Sequence, residues 1–128
     1  MSAAIEGQVS LRIGHLTAAA DLSAAQHRFV ELGAGGVTVV NGTTDRPIGV
    51  LQNKPLEGQP CTIFVTGVMP VIAGAAGIAA GDPLYINASG AVTEVATSTR
   101  VGTALEAAVN GKLFTALIDC AAPVPGTV

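Results

Sequence analysis

A chain of 128 residues with a net charge of −3 fits one domain, at about 100 to 200 residues each. Its six Lys and Arg residues stand singly, and its aromatics are three Phe, one Tyr and no Trp. That excludes the clustered basic footprint of a nucleic-acid binder and a set of stacking platforms for single strands. Charged residues are 12% of the chain against ~25% in ordinary soluble domains, so much of the surface must be small or apolar, as in a protein that works through contacts.

Met1 to Glu6 has neither the basic start nor the apolar centre of a secretory leader, and the expectation is a protein made in a cytoplasm. Val9, Leu11 and Ile13 alternate with Ser10 and Arg12, the period-two pattern of a strand with one buried face. Residues up to Gly7 form a small polar arm, expected to be mobile in the free protein and ordered on its partner. Ala18 to Gln26 predicts one short helical turn capped by the Asp21 carboxylate, then a strand over 28–32. Gly33 to Gly36 predicts a tight turn into a strand over 37–40, and Asn41-Gly42 reads as a hairpin turn because both residues tolerate positive φ.

Asp45-Arg46-Pro47 then leads into a strand at 48–50 and a turn-rich connection from Asn53 to Pro60. Apolar runs at 63–65 and 68–71 are interrupted by Gly67 and by Pro70, which a ladder tolerates near an edge. The Ala- and Gly-rich stretch from Ala73 to Ala80 suits close backbone packing or an ordered loop. Leu84-Tyr85-Ile86 is set to pair with residues 92–95 across Asn87 to Gly90. The longest apolar stretch, Gly67 to Gly81, is broken by Pro70, Gly74 and Gly77 and is shorter than the ~20 residues that cross a bilayer. The tail carries Pro123, Pro125 and Gly126 and is expected to be extended.

Part of this order occurs twice. Ile48-Gly49-Val50, Gly58 and Thr62 to Val65 recur as Val101-Gly102-Thr103, Gly111 and Thr115 to Ile118, at a constant offset of 53. Upstream, Leu32 to Val37 resembles Ile86 to Ala91 at an offset of 54. A fixed spacing over several anchor points marks a duplicated supersecondary unit, and two copies are too few for a solenoid. The expected fold is therefore all-β, a small barrel or sandwich with at most one or two short helical turns. Its halves should superpose as residues 30–66 on 84–119, with Ile63, Val65, Leu117 and Ile118 in the core.

The residues offer no catalytic constellation. Gly33-Ala34-Gly35-Gly36 has Thr38 where a dinucleotide loop needs its last glycine, and no helical pattern follows, so it reads as a turn. His15 and His27 have no metal-ligand spacing around them. Glu6, Asp21, Glu31, Asp45, Glu57, Asp82, Glu94, Glu106 and Asp119 lie in turns and outward strand positions, and no Ser occupies a GxSxG elbow. Cys61 and Cys120 are not equivalent in the repeat; in apolar strands free Cys behaves as a small hydrophobe, and nothing supports a disulfide. Catalytic, cofactor-binding and metal-ligating residues are all expected to be none.

Four stretches carry a resemblance: Ala20 to Leu32, Pro47 to Pro55, Ala73 to Leu84 and Val101 to Ala108. In this order and spacing the chain resembles the capsid cement, or head decoration, proteins of tailed bacteriophages, small β-rich proteins some of which carry a misleading recombinase label. The resemblance implies a non-enzymatic protein without a cofactor. It implies binding to the major capsid protein on the outer surface of the expanded head, as a homotrimer at local three-fold positions, and hence a place in the virion. Residues 1–16 then form an N-terminal arm and first strand, 17–120 the β-domain and 121–128 an extended tail. Nucleic acid and membrane are not expected partners. Two other classes suit the residues: a β-barrel ligand-binding domain, for the duplicated strands, and a tail-fibre or adhesin domain, for the low charge.

Overall fold

The computed structural model describes residues 9–42, 45–96 and 99–121. These form strands and no helix: β1 (Val9–Ile13), β2 (Phe29–Gly33), β3 (Gly36–Val39), β4 (Gly49–Leu51), β5 (Ile63–Ile72), β6 (Pro83–Ile86), β7 (Val92–Thr93), β8 (Arg100–Ala104) and β9 (Leu113–Asp119). Their single curled sheet runs β3-β2-β4-β5-β9-β8-β6-β7, and β1 pairs with β5 off this path. Both the all-β class and the duplicated unit expected from the sequence are present.

The duplication is written in the hydrogen bonds. Val50 lies opposite Phe64 and Thr103 opposite Leu117, each pair displaced by the same offset. Val30 opposite Gly49 recurs as Leu84 opposite Gly102. The parallel bridge from Ala18 to Val37 recurs from Ala73 to Val92, and in each half the sheet's terminal strand is thereby brought back against a segment continuous with a strand paired to its centre. Even loop bonds repeat: Gly58 N–H donates to Ala18 O and Gly111 N–H to Ala73 O, both at 2.8 Å. Thr66 and Asp119, equivalent residues, lie directly opposite each other where β5 meets β9, and the Thr66 hydroxyl donates to Asp119 Oδ1 at 3.3 Å. A local two-fold therefore passes between them, which is why the strand order reads alike from either end.

Two apolar clusters fill the fold. The larger joins Met69 and Val71 of β5 to Leu84, Ile86, Val101, Phe114 and Ile118, and the smaller joins Ile63 of β5 to Val30, Val37, Leu51 and Cys61. Phe29 and Val50 belong to the larger, although their chain neighbours Val30 and Leu51 belong to the smaller. Successive side chains of a strand point to opposite faces, so β4, and β2 at Phe29 and Val30, are buried on both sides, between the two clusters.

Several local expectations need correction. Residues 19–28 form turns instead of a helical turn, because the Asp21 carboxylate accepts from Ser23 N–H two residues on at 2.9 Å, an Asx turn that competes with helix. Asn41-Gly42 is not a strand hairpin: both N–H groups donate to Asp45 Oδ2, at 3.0 and 3.1 Å, and β2 separates β3 from β4. The hairpin turns at Ala34-Gly35, between Gly33 and Gly36, where the sequence placed a tight turn. Gly67 and Pro70 do not break β5, which runs unbroken through both; among the described residues, 68–72 pair with β9 alone, so Pro70 forfeits no second ladder there. Leu11 is 49% exposed while Ile13 packs against the smaller cluster, because the pairing with β5 shifts register on both sides of Leu11 and breaks the alternation. The arm up to residue 7 and the tail beyond Ala121 lie outside the described residues.

His27 is the repeat's strained copy. Its N–H donates to Leu51 O at 2.6 Å, as Gly81 N–H does to Ala104 O at 2.7 Å, and its φ is +69° where Gly81 has +91°. A residue with a Cβ pays about 1 kcal/mol or more for that conformation. Its Nδ1 is also buried with no hydrogen-bond partner among the described residues. Burial first, then the charge of Lys54, hold the imidazole below its ordinary value of 6.5. Below that pH the unfolded chain takes up a proton that the folded chain resists, so stability falls with falling pH until the lowered folded value is passed. His27→Gly is expected to stabilise the protein by about 1 kcal/mol at pH 8. Its advantage should widen at pH 5, as measured by urea unfolding at both values; an equal or smaller gain at pH 5 would contradict the lowered imidazole.

Candidate interaction surface

Five of the carboxylates weighed as chemical candidates, Asp21, Asp45, Asp82, Glu106 and Asp119, serve the chain's own backbone. Asp82 Oδ2 accepts from Ala79 N–H at 2.9 Å and Glu106 Oε2 from Thr115 N–H at 2.7 Å. In the other half Asn53 Oδ1 does the same for Thr62 N–H, at 3.0 Å, so Glu106 answers to an amide and its charge is not essential to the position. The Ser23 hydroxyl first and its N–H second lower the Asp21 carboxyl, and donated N–H bonds from Asn41 and Thr115 lower Asp45 and Glu106. Burial first and Asp45 second raise Glu31. Among the described residues no three of His, Cys, Asp and Glu converge on a possible metal position.

His15 is exposed in the segment after β1, and His27 lies in the turn before β2. Both cysteines are free. Burial pushes both thiols up, and Cys120, with Asp119 beside it, is pushed up to about 12; such thiols hold little of the reactive thiolate.

What the sheet does present is a continuous outer face. On β5 the side chains alternate between fully buried and half-buried positions, and the half-buried set is Phe64, Thr66, Val68, Pro70 and Ile72. Directly opposed residues of an antiparallel pair share a face. Ile72 therefore stands beside Leu113, Pro70 beside Thr115, Val68 beside Leu117 and Thr66 beside Asp119. Leu113 is 52% and Leu117 46% exposed. Thr103 of β8 extends the row next to Leu117. Asp119 supplies the one charge of these opposed pairs, at the end nearest the local two-fold.

Leu117 was expected in the core with Ile118. Adjacent residues on a strand cannot share a face, and Ile118, fully buried, takes the inner one. The outward Leu117 is thus part of a half-exposed apolar strip. Apolar strips of this kind on a folded protein mark contact sites.

Comparison with known proteins gives this geometry a family. The fold is similar to that in "The crystal structure of head fiber gp8.5 N base in bacteriophage phi29", with a TM-score of 0.64 and 22% identity over 86% of this chain and 96% of that one. No curated protein matches the chain. The family of phage cement proteins, however, matches residues 8–119, from the edge of β1 to the last residue of β9. With every strand of the duplicated sheet inside that match, the chain belongs to the phage cement protein family.

Proposed function

We propose that this protein decorates the outside of the phage head: a non-enzymatic homotrimer that sits at local three-fold positions, binds the major capsid protein and stabilises the expanded lattice. The observation that carries this reading is membership of the cement family across residues 8–119. The outer β5–β9 face agrees with it physically, since a stable interface needs ~1,600 Å² of buried surface in all and an apolar strip can be buried with little desolvation of charge. Three attachments held in one trimer gain avidity without a new kind of contact. The similar solved structure is the base of a head fiber, which supports placement at the head over the ligand-binding alternative.

Expansion moves neighbouring capsid subunits into the relation that a trimer bridges. A ligand that prefers one state stabilises that state by its differential affinity. The protein is therefore expected to bind expanded heads of its own phage saturably, to bind immature shells poorly, and to raise the temperature at which DNA is released. Light scattering on the free protein should give the mass of a trimer. Equal release temperatures for decorated and stripped particles, with no stoichiometric binding, would overturn the proposal.

A further inference from the structure

Comparing the two halves position by position separates accidental exposure from maintained exposure. Most large apolar residues on the surface answer to something different in the other half. Leu32 answers to Ile86 and Val95 to Val40, both buried, and Leu105 answers to Gln52. Leu56 and Val109 differ from these. They are equivalent at the offset of 53, and they are 51% and 67% exposed.

Their surroundings repeat as well. Leu56 O accepts from Gln59 N–H at 3.0 Å and Val109 O from Lys112 N–H at 2.9 Å. Gly58 and Gly111, at the crest of each turn, both have φ of +83°, and each turn is tied back through the glycine N–H to Ala18 or Ala73. These turns use only backbone groups of Leu56 and Val109, so neither turn geometry nor the core demands an apolar side chain there. The charges nearby have diverged: Lys54 and Glu57 flank the first, Glu106 and Lys112 the second. What both halves retain is a fastened turn that holds one apolar side chain out to solvent.

We infer that the two turns are equivalent docking tips, and that one molecule uses them to engage the same apolar recess on two neighbouring copies of the major capsid protein. This rests on the head-decoration role proposed above. The local two-fold at Thr66 and Asp119 relates the tips, so two copies of one partner surface, themselves in an approximate two-fold relation, meet identical chemistry. Each tip engaged raises the effective concentration of the other; the molecule acts as a clamp across two subunits, and a single damaged tip leaves it held at one point only.

The test uses the full chain and expanded heads stripped of it. Leu56→Ser and Val109→Ser, singly and together, should keep the wild-type oligomeric state by light scattering and the wild-type unfolding midpoint, since both sites are exposed turns. Each single variant should weaken binding to heads by about tenfold or more, the factor set by one lost apolar anchor. The two losses should be similar, and the double variant weaker than either. A single variant that binds like wild type would overturn the inference, as would one that alters the oligomeric state while head binding persists, because the tip would then serve contacts between copies. Wild-type protein that fails to bind heads would instead remove the head-decoration role, and the clamp with it.

Discussion

Gly102→Ala should destabilise the protein by about 3 kcal/mol or more, the upper end of what overpacking costs, and lower the thermal midpoint by roughly 10 °C. A Cβ on Gly102 would fall on the carbonyl oxygen of Leu117 and lie 3.0 Å from Ile118 Cδ1. The obstruction is backbone, which cannot rotate away as a side chain would. Gly49, the equivalent residue, has the equivalent obstruction: its Cβ would lie 2.5 Å from Phe64 O and 2.6 Å from Ile63 Cγ2. Both mark the place where a short strand closes against a long one, and glycine inside a strand commonly marks such a close approach. Gly49→Ala should therefore cost about as much. Gly14→Ala serves as a control, since nothing stands within 4 Å of its Cβ position; it should change stability by less than about 0.5 kcal/mol. Urea unfolding of the three variants decides the matter, and a loss below about 1 kcal/mol at Gly102 would mean that the sheet yields there.

Phe29→Ala should cost about 3–5 kcal/mol, the range for deleting a buried aromatic. Phe29 is fully buried and, although it lies on β2 in the first half, packs in the cluster built mainly by the second. Its backbone also crosses the same join, with its N–H donating to Gly90 O at 2.8 Å. The cavity would open where the halves meet, in a core with few other aromatics to collapse into it. Calorimetry of the wild type is expected to show one cooperative transition for both clusters, as small single domains usually do. A Phe29→Ala loss under about 1 kcal/mol, or two separate wild-type transitions, would show that the clusters do not depend on each other.

How far the sequence could be read depended on whether a signal was local or relative. The repeat was legible because glycines at 49, 58, 102 and 111 and the apolar runs beside them keep one spacing, and that spacing reappears as the register of the ladders. Strands β1, β2, β6 and β9 were legible for the same local reason. The drift in offset also had a physical source: Leu32 answers to Ile86 at 54 and Val37 to Val92 at 55, because that hairpin is one residue longer in the second half, and the offset returns to 53 at Gly49 and Gly102 because the connection that follows is two residues shorter.

The outer face was not legible. Along β5 the inward set is Ile63, Val65, Gly67, Met69 and Val71, and the outward set includes Val68, Pro70 and Ile72. Both sets are apolar, so the alternation that normally separates core from surface is silent there, and Leu117 was misassigned on the same account. The carboxylate of Asp45 likewise gives no sequence sign that it will hold the turn at Asn41 and Gly42, because which N–H groups a side chain reaches depends on the path of the loop.

By itself the sequence determined the all-β class, the two copies and, through four matching stretches, the family, since each of these rests on residue types and on spacing along the chain. Tertiary structure alone decided three further things. It set the two copies about a two-fold between Thr66 and Asp119. It placed β2 and β4 between two apolar clusters. And it left Leu56 and Val109 exposed and the β5–β9 face half-exposed. Spacing fixes which segments can pair, but exposure is settled by what else packs against them, and that is a property of the assembled sheet.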